Sequence, residues 1–239
     1  MRWFRGKGRT LVNAMLAVLM VTLYIATATP LAQSAMSEIY SSPIYRGQED
    51  GVIGLECAVS WNAAALPELL TLLREKEVQI TFLISGKWAQ DNDELLVQMV
   101  RDGHEIGTMG QDPMRDGTAK AVAADIKQSI QSIHDVSGVR PILYYSGTRA
   151  VNSSTQAARQ LGLTHVLCTV DLLSGRGTAQ DILSRALDQP FDGTILLIQP
   201  TAEAVKAMPA CLDGLRQQGF RIVTVSETLG EHTQKEVRV

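Results

Sequence analysis

The chain has 239 residues, 45% of them hydrophobic and 20% charged, with a formal net charge of −3. That composition supplies a core for one large α/β domain or two small ones and excludes a disordered or fibrous protein. Arg2, Arg5, Lys7 and Arg9 lie in the first ten positions, and setting those four aside leaves 18 basic against 25 acidic residues, a sign that repels a phosphate backbone, so no nucleic-acid partner is expected.

The basic start is followed by an uncharged run from Leu11 to Ala28, then by Pro30 and small residues through Ala35. Residues 1–35 therefore read as an export segment, either a signal peptide or a membrane anchor. Ala26-Thr27-Ala28 offers a small-x-small cleavage pattern, while the run approaches the roughly 18 apolar residues at which a membrane span forms. Cations on one flank only send the body outward, so an extracytoplasmic location, membrane-anchored or secreted, is expected. Residues 36–50 read as a linker, 51–229 as the folded domain and 230–239 as a polar tail.

Within 51–229, short apolar runs alternate with helical patterns, as in repeated βα units. Residues 52–59 predict a strand, and Leu66, Leu69, Leu70, Leu72 and Leu73 recur at helical spacing after it. A β-rich run at 78–84 precedes a helix through Leu95, Leu96, Met99 and Val100 that Asp102-Gly103 stops. Residues 119–136 are helical up to Ser137-Gly138, 141–145 extended, and 153–161 helical up to Gly162. Continuous apolar runs at 165–170 and 194–198 suit strands buried on both faces. A helix at 205–218 and a strand at 220–225 complete the pattern. Cys57, Cys168 and Cys211 are too few for a disulfide framework and read as small buried hydrophobes, with one bridge left open.

Four segments carry a family resemblance: Ile80-Thr81-Phe82-Leu83-Ile84-Ser85-Gly86-Lys87-Trp88-Ala89, the Gly103-His104-Glu105-Ile106-Gly107 turn, Gly193-Thr194-Ile195-Leu196-Leu197, and Gly219-Phe220-Arg221-Ile222-Val223-Thr224-Val225-Ser226-Glu227. In this order the chain resembles the polysaccharide deacetylase family, or chitooligosaccharide deacetylase homology domain, over about 51–229. The resemblance implies an α/β fold, a distorted (β/α) barrel preceded by the N-terminal signal or anchor segment.

The resemblance also implies where chemistry has been lost. Active members end the first strand in Thr-Phe-Asp-Asp-Gly, the first Asp a general base and the second a ligand of a divalent metal; Glu56-Cys57-Ala58-Val59-Ser60 stands here. Two metal-binding histidines follow the Gly-His-Glu-Ile-Gly turn in the family, at positions that carry Met109 and Pro113. The family's Arg-Pro-Pro-Tyr-Gly aligns with Tyr145-Ser146-Gly147-Thr148-Arg149, its aromatic-x-x-Asp with Cys168-Thr169-Val170-Asp171, and its Leu-His-Asp acid motif with Ile198-Gln199-Pro200. Neither methyl groups, thioether nor amide can replace a base, a hard-metal ligand or a proton donor.

The expectation is a catalytically inactive, deacetylase-like protein of the cell envelope, with no catalytic residue, metal or other cofactor. It would bind an envelope glycan or envelope protein and reach the membrane through its N-terminal segment. Glu56, Trp61, Asp112, Tyr144, Tyr145, Asp171 and Gln199 are the candidate lining of the residual groove, the aromatics for stacking on sugar rings and Asp171 for a hydroxyl or the following turn. The alternative is an active carbohydrate N-acetyl deacetylase, hydrolysing a non-peptide carbon–nitrogen bond, whose rearranged metal site recruits Glu56, His104 and Asp112.

Overall fold

The computed structural model describes residues 15–20, 42–59, 63–113 and 117–230. It divides between Ser42 and Pro43 into two units. In the first unit residues 15–20 are helical, and the rest of the expected export segment lies outside the described residues. No helix among the described residues is long and apolar enough to cross a membrane.

The second unit is a parallel sheet wrapped by helices. Its elements are β1 (Val52–Val59), α1 (Leu66–Glu75), β2 (Thr81–Ile84), α2 (Gly86–Asp91), α3 (Asp93–Arg101), β3 (Glu105–Thr108), α4 (Ala119–Ser137), β4 (Leu143–Tyr145) and α5 (Val151–Gln160). Then come β5 (Thr164–Val166), β6 (Val170–Asp171), α6 (Ala179–Leu187), β7 (Ile195–Ile198), α7 (Ala202–Gln217), β8 (Arg221–Val223) and α8 (Val225–Thr228). The strand order is β5-β4-β3-β2-β1-β7-β6. β7 takes one edge of β1, while β8 and β2 share the other, pairing with Val52–Gly54 and Glu56–Val59 respectively. This is the distorted (β/α) barrel expected from the sequence.

Strand β1 is buried along its whole length because both faces are covered. Ile53, Leu55, Cys57 and Val59 point into the core under the helices, where they meet Leu66, Leu69, Leu70 and Leu73 of α1, Leu96 and Met99 of α3, and Met208 and Leu212 of α7. Each such side chain, fully buried, contributes about 1.5–3 kcal/mol relative to exposure. Alternation then turns Gly54, Glu56 and Ala58 to the barrel interior.

Several features differ from the sequence reading. Glu105–Thr108 is a strand rather than a turn, α2, α6 and α8 are further helices, and α8 takes Val225 from the strand expected at 220–225. The run at 165–170 breaks into β5 and β6, because between them the chain pairs with the segment at 43–46. Leu167 N donates to Ile44 O (2.8 Å), and the Thr169 hydroxyl donates to Tyr45 O. Ile44 bridges Val166 and Arg46 bridges Thr194, so residues expected in the linker form a strap across the barrel's gap. All three thiols are free, two of them buried.

Candidate functional site

At the C-terminal ends of the strands, where barrels of this kind keep their sites, a groove of about 580 Å³ opens. Its walls include Ala58, Met109, Pro113, Tyr145, Asp171 and Gln199. Its floor is apolar: Ala58, Leu83, Met109 and Leu197 pack together, with Tyr145 and Cys168 against them. Of the expected lining, Tyr145, Asp171 and Gln199 are thus in place. Asp171 also holds the next turn, its Oδ1 accepting from Leu173 N at 2.8 Å.

The other expected residues go elsewhere, and Trp61 lies outside the described residues. Tyr144 does not line the groove: alternation along β4 turns it toward Val122, Ile126 and Ile130 of α4 and Ala157 and Ala158 of α5, fully buried. Asp112 is an exposed loop residue whose backbone carries its role, N donating to Asp125 Oδ1 (3.0 Å) and O accepting from Arg149. Glu56 sits one layer beneath the groove floor, wholly buried, and neither carboxylate oxygen has a hydrogen-bond partner among the described residues. Thr81, its register neighbour, gives its hydroxyl proton to Glu105 at 2.6 Å instead, and Ser226 N adds a second bond to that carboxylate at 3.2 Å. Burial first, and then the charge of Glu105, push the Glu56 carboxyl up to about 8, so it is neutral near pH 7. Burial and the Glu56 carboxylate together push the Tyr145 phenol up and the Cys168 thiol to about 12.

Arg149 is the site residue that sequence reasoning missed. Its Nη2 lies 2.7 Å from Asp125 Oδ2, both side chains almost fully buried, and its Nη1 donates to Tyr144 Oη at 3.2 Å. It also donates to the carbonyls of Asp112 and Pro113, so one guanidinium ties helix α4 to the loop that carries Met109 and Pro113. The available signal was Asp125 itself, an acid on the apolar face of α4 with Val122, Ile126 and Ile133.

The residues present do not fit the divalent ion that the family implies. Ala58, Met109 and Pro113 line the cavity where ligands are needed, and Val59 points away into the helix-side core. Glu56, His104 and Asp112 are not brought together. His104 stands edge-on to Phe82, ring centroids 5.0 Å apart, with Nδ1 accepting from Ile80 N. Burial holds that imidazole down at about 4, so it is a neutral structural residue. Among the described residues no group of three or more His, Cys, Asp or Glu is placed to hold a metal ion.

A family model described as polysaccharide deacetylase matches residues 49–166. The chain carries a polysaccharide deacetylase family domain. An uncharacterised Bacillus subtilis protein, YlxY, is 26% identical over 203 residues, covering 82% of this chain and 63% of that protein. The peptidoglycan-N-acetylglucosamine deacetylase PgdA of Listeria monocytogenes is 25% identical over 177 residues, covering 72% of this chain and 38% of PgdA. This deacetylase-family chain thus spans less than two thirds of either relative. Among solved structures, BA3943 of Bacillus anthracis, described as a CE4 family pseudoenzyme, superposes with a TM-score of 0.74 at 23% identity, covering 80% of this chain and 70% of that one.

Proposed function

We propose that this family member is a non-catalytic, extracytoplasmic protein whose groove binds an N-acetylated envelope glycan without hydrolysing it. The observation that carries this reading is the groove floor: the cavity persists at the strand ends, but Ala58, Met109 and Leu197 line it and the amide of Gln199 stands at its rim. An apolar floor accepts an acetyl methyl group or a sugar face, and Tyr145 and Asp171 supply an aromatic surface and a hydroxyl acceptor. None of Ala58, Met109, Leu197 and Gln199 can take a proton from water or give one to a leaving amine near neutral pH. Relatives that act on peptidoglycan support an envelope setting. BA3943 indicates that loss of activity is compatible with the fold.

Calorimetric titration of the full chain with N-acetylglucosamine tetramer, alongside acetate release from the same oligomer with added zinc, tests both halves. Binding without acetate is expected, with Tyr145→Ala and Asp171→Ala each weakening it about fivefold or more. Zinc-dependent acetate release by the wild type would establish the active alternative instead.

A further inference from the structure

Beside the groove lies a second cavity of about 320 Å³, lined by Leu173, Arg176, Gly177, Asp181, Ser184 and Arg185. Leu173 and Arg176 line both cavities, so the second is an extension of the first across the β6–α6 loop. We propose that this extension is a subsite for a negatively charged group, a carboxylate or a phosphate, carried by the glycan in the groove. The inference rests on the groove's reading as a glycan site and names the ligand class as acidic.

Three observations carry it. First, the lining of the second cavity carries two cations, Arg176 and Arg185, against one carboxylate, Asp181. Asp181 Oδ2 accepts from Thr178 N at 2.9 Å and from its hydroxyl at 2.7 Å, and Asp171 Oδ1 is taken by Leu173 N. Among the described residues neither Arg176 nor Arg185 is ion-paired. Arg185 spends only Nε, on Asp171 O at 2.9 Å, and keeps its terminal nitrogens. That imbalance stands out on a net acidic chain.

Second, the loop is held rather than loose. Ser174 Oγ accepts from Gln199 N at 2.6 Å, Thr201 Oγ1 donates to Ser174 O at 2.8 Å, and Ala179 N donates to Glu203 Oε2 at 2.9 Å. A Cβ on Gly175 would stand 2.4 Å from Gln199 Oε1, so the loop lies directly on the groove rim. Third, Leu173 adopts φ +52°, a left-handed conformation that strains a leucine. That strain lies where the residue separates the two cavities. Planar guanidinium groups on a fixed loop suit carboxylate and phosphate oxygens, which accept two parallel hydrogen bonds.

The test measures binding of the full chain to three tetrasaccharides. One is neutral N-acetylglucosamine tetramer, one alternates N-acetylglucosamine with N-acetylmuramic acid and so carries carboxylates, and one is the neutral tetramer phosphorylated at a terminal O6. At least one acidic probe should bind about tenfold tighter than the neutral one at low salt, the order expected of a charge-assisted pair, and the advantage should shrink as salt rises. Which acidic probe wins identifies the anion. The ratio should fall toward one in Arg176→Gln and in the Arg176→Gln/Arg185→Gln double variant, but persist in Arg221→Gln, an exposed cation on β8. A merely structural arginine would weaken all three probes alike. Equal affinities in the wild type, or a ratio that survives the double variant, overturn the subsite while leaving the glycan groove standing. Binding of none of the probes overturns both.

Discussion

Glu56 departs most from its surroundings: a carboxyl in the barrel interior with no hydrogen-bond partner among the described residues. Its folded pKa near 8 exceeds the ordinary glutamate value of 4.5, so the sign of its effect on stability is fixed. Below about pH 4.5 both folded and unfolded chains carry the proton and no penalty arises. As pH rises, the unfolded chain gains by ionising while the folded one does not, and the cost grows until the folded carboxyl titrates near 8. Glu56→Gln should therefore stabilise the protein by an amount that increases from pH 5 to pH 8, on the order of 3 kcal/mol at pH 7. Urea unfolding of both proteins across that range checks it, and a difference independent of pH would refute the assignment. Arg149 and Asp125 behave oppositely, since each is buried with its partner. Arg149→Met should cost about 3–5 kcal/mol by stranding the carboxylate, and Asp125→Asn in the same chain should recover part of it. Failure of the second substitution to recover any stability would mean that the backbone bonds to residues 112 and 113, not the ion pair, dominate. At this scale the sequence did not disclose where side chains point. Tyr144 and Tyr145 are adjacent aromatics, and only the strand's phase decides which of them faces the groove.

Elements were legible where their apolar pattern was long. Strand β1 and helices α1, α4 and α7 lie where periodicity placed them, and Gly138 ends α4 at φ +73° as a helix-stopping glycine should. The misses are short or thinly apolar. Strand β3 has four residues and turns Glu105 inward, so no hydrophobic run announces it. Helix α6 buries only Ile182 and Ala186, although its Thr178/Asp181 capping box could have been read. The strap at 43–47 carries no periodic signal at all, because its role comes from long-range pairing. Gly47 N donates to Gly193 O at 2.7 Å, and a Cβ on Gly193, at φ +74°, would stand 2.4 Å from Gly47 O. Gly193→Ala should thus lift the strap, costing about 2 kcal/mol and speeding proteolytic cleavage at 43–49. An unchanged urea midpoint and cleavage rate would show that the strap is dispensable.

For the whole molecule, the question is whether this barrel could be returned to metal chemistry, and the side-chain directions limit the route. Val59, expected from the resemblance to stand at the family's metal-binding Asp position, points into the helix-side core, so an aspartate there would be buried among hydrocarbons rather than presented to an ion. Ala58, Met109 and Pro113 instead share the groove lining, and three donors placed on them would converge. The Glu56 carboxyl lies in the layer below Ala58 and would oppose a second carboxylate there, so the substitutions belong in a Glu56→Gln background. In that background Ala58→Asp alone should hold no zinc, whereas Ala58→Asp, Met109→His and Pro113→His together should retain about one ion per chain after dialysis and unfold at higher urea with zinc than without it. Acetate release should still fail, because the aspartate at position 58 is now a ligand and not a base, and the amide at Gln199 has no proton to give. Elemental analysis, zinc-dependent unfolding and acetate release read these steps separately. A triple variant that folds but holds no zinc would show that the three positions do not converge, and acetate release by it would locate an acid and base other than the groups named here.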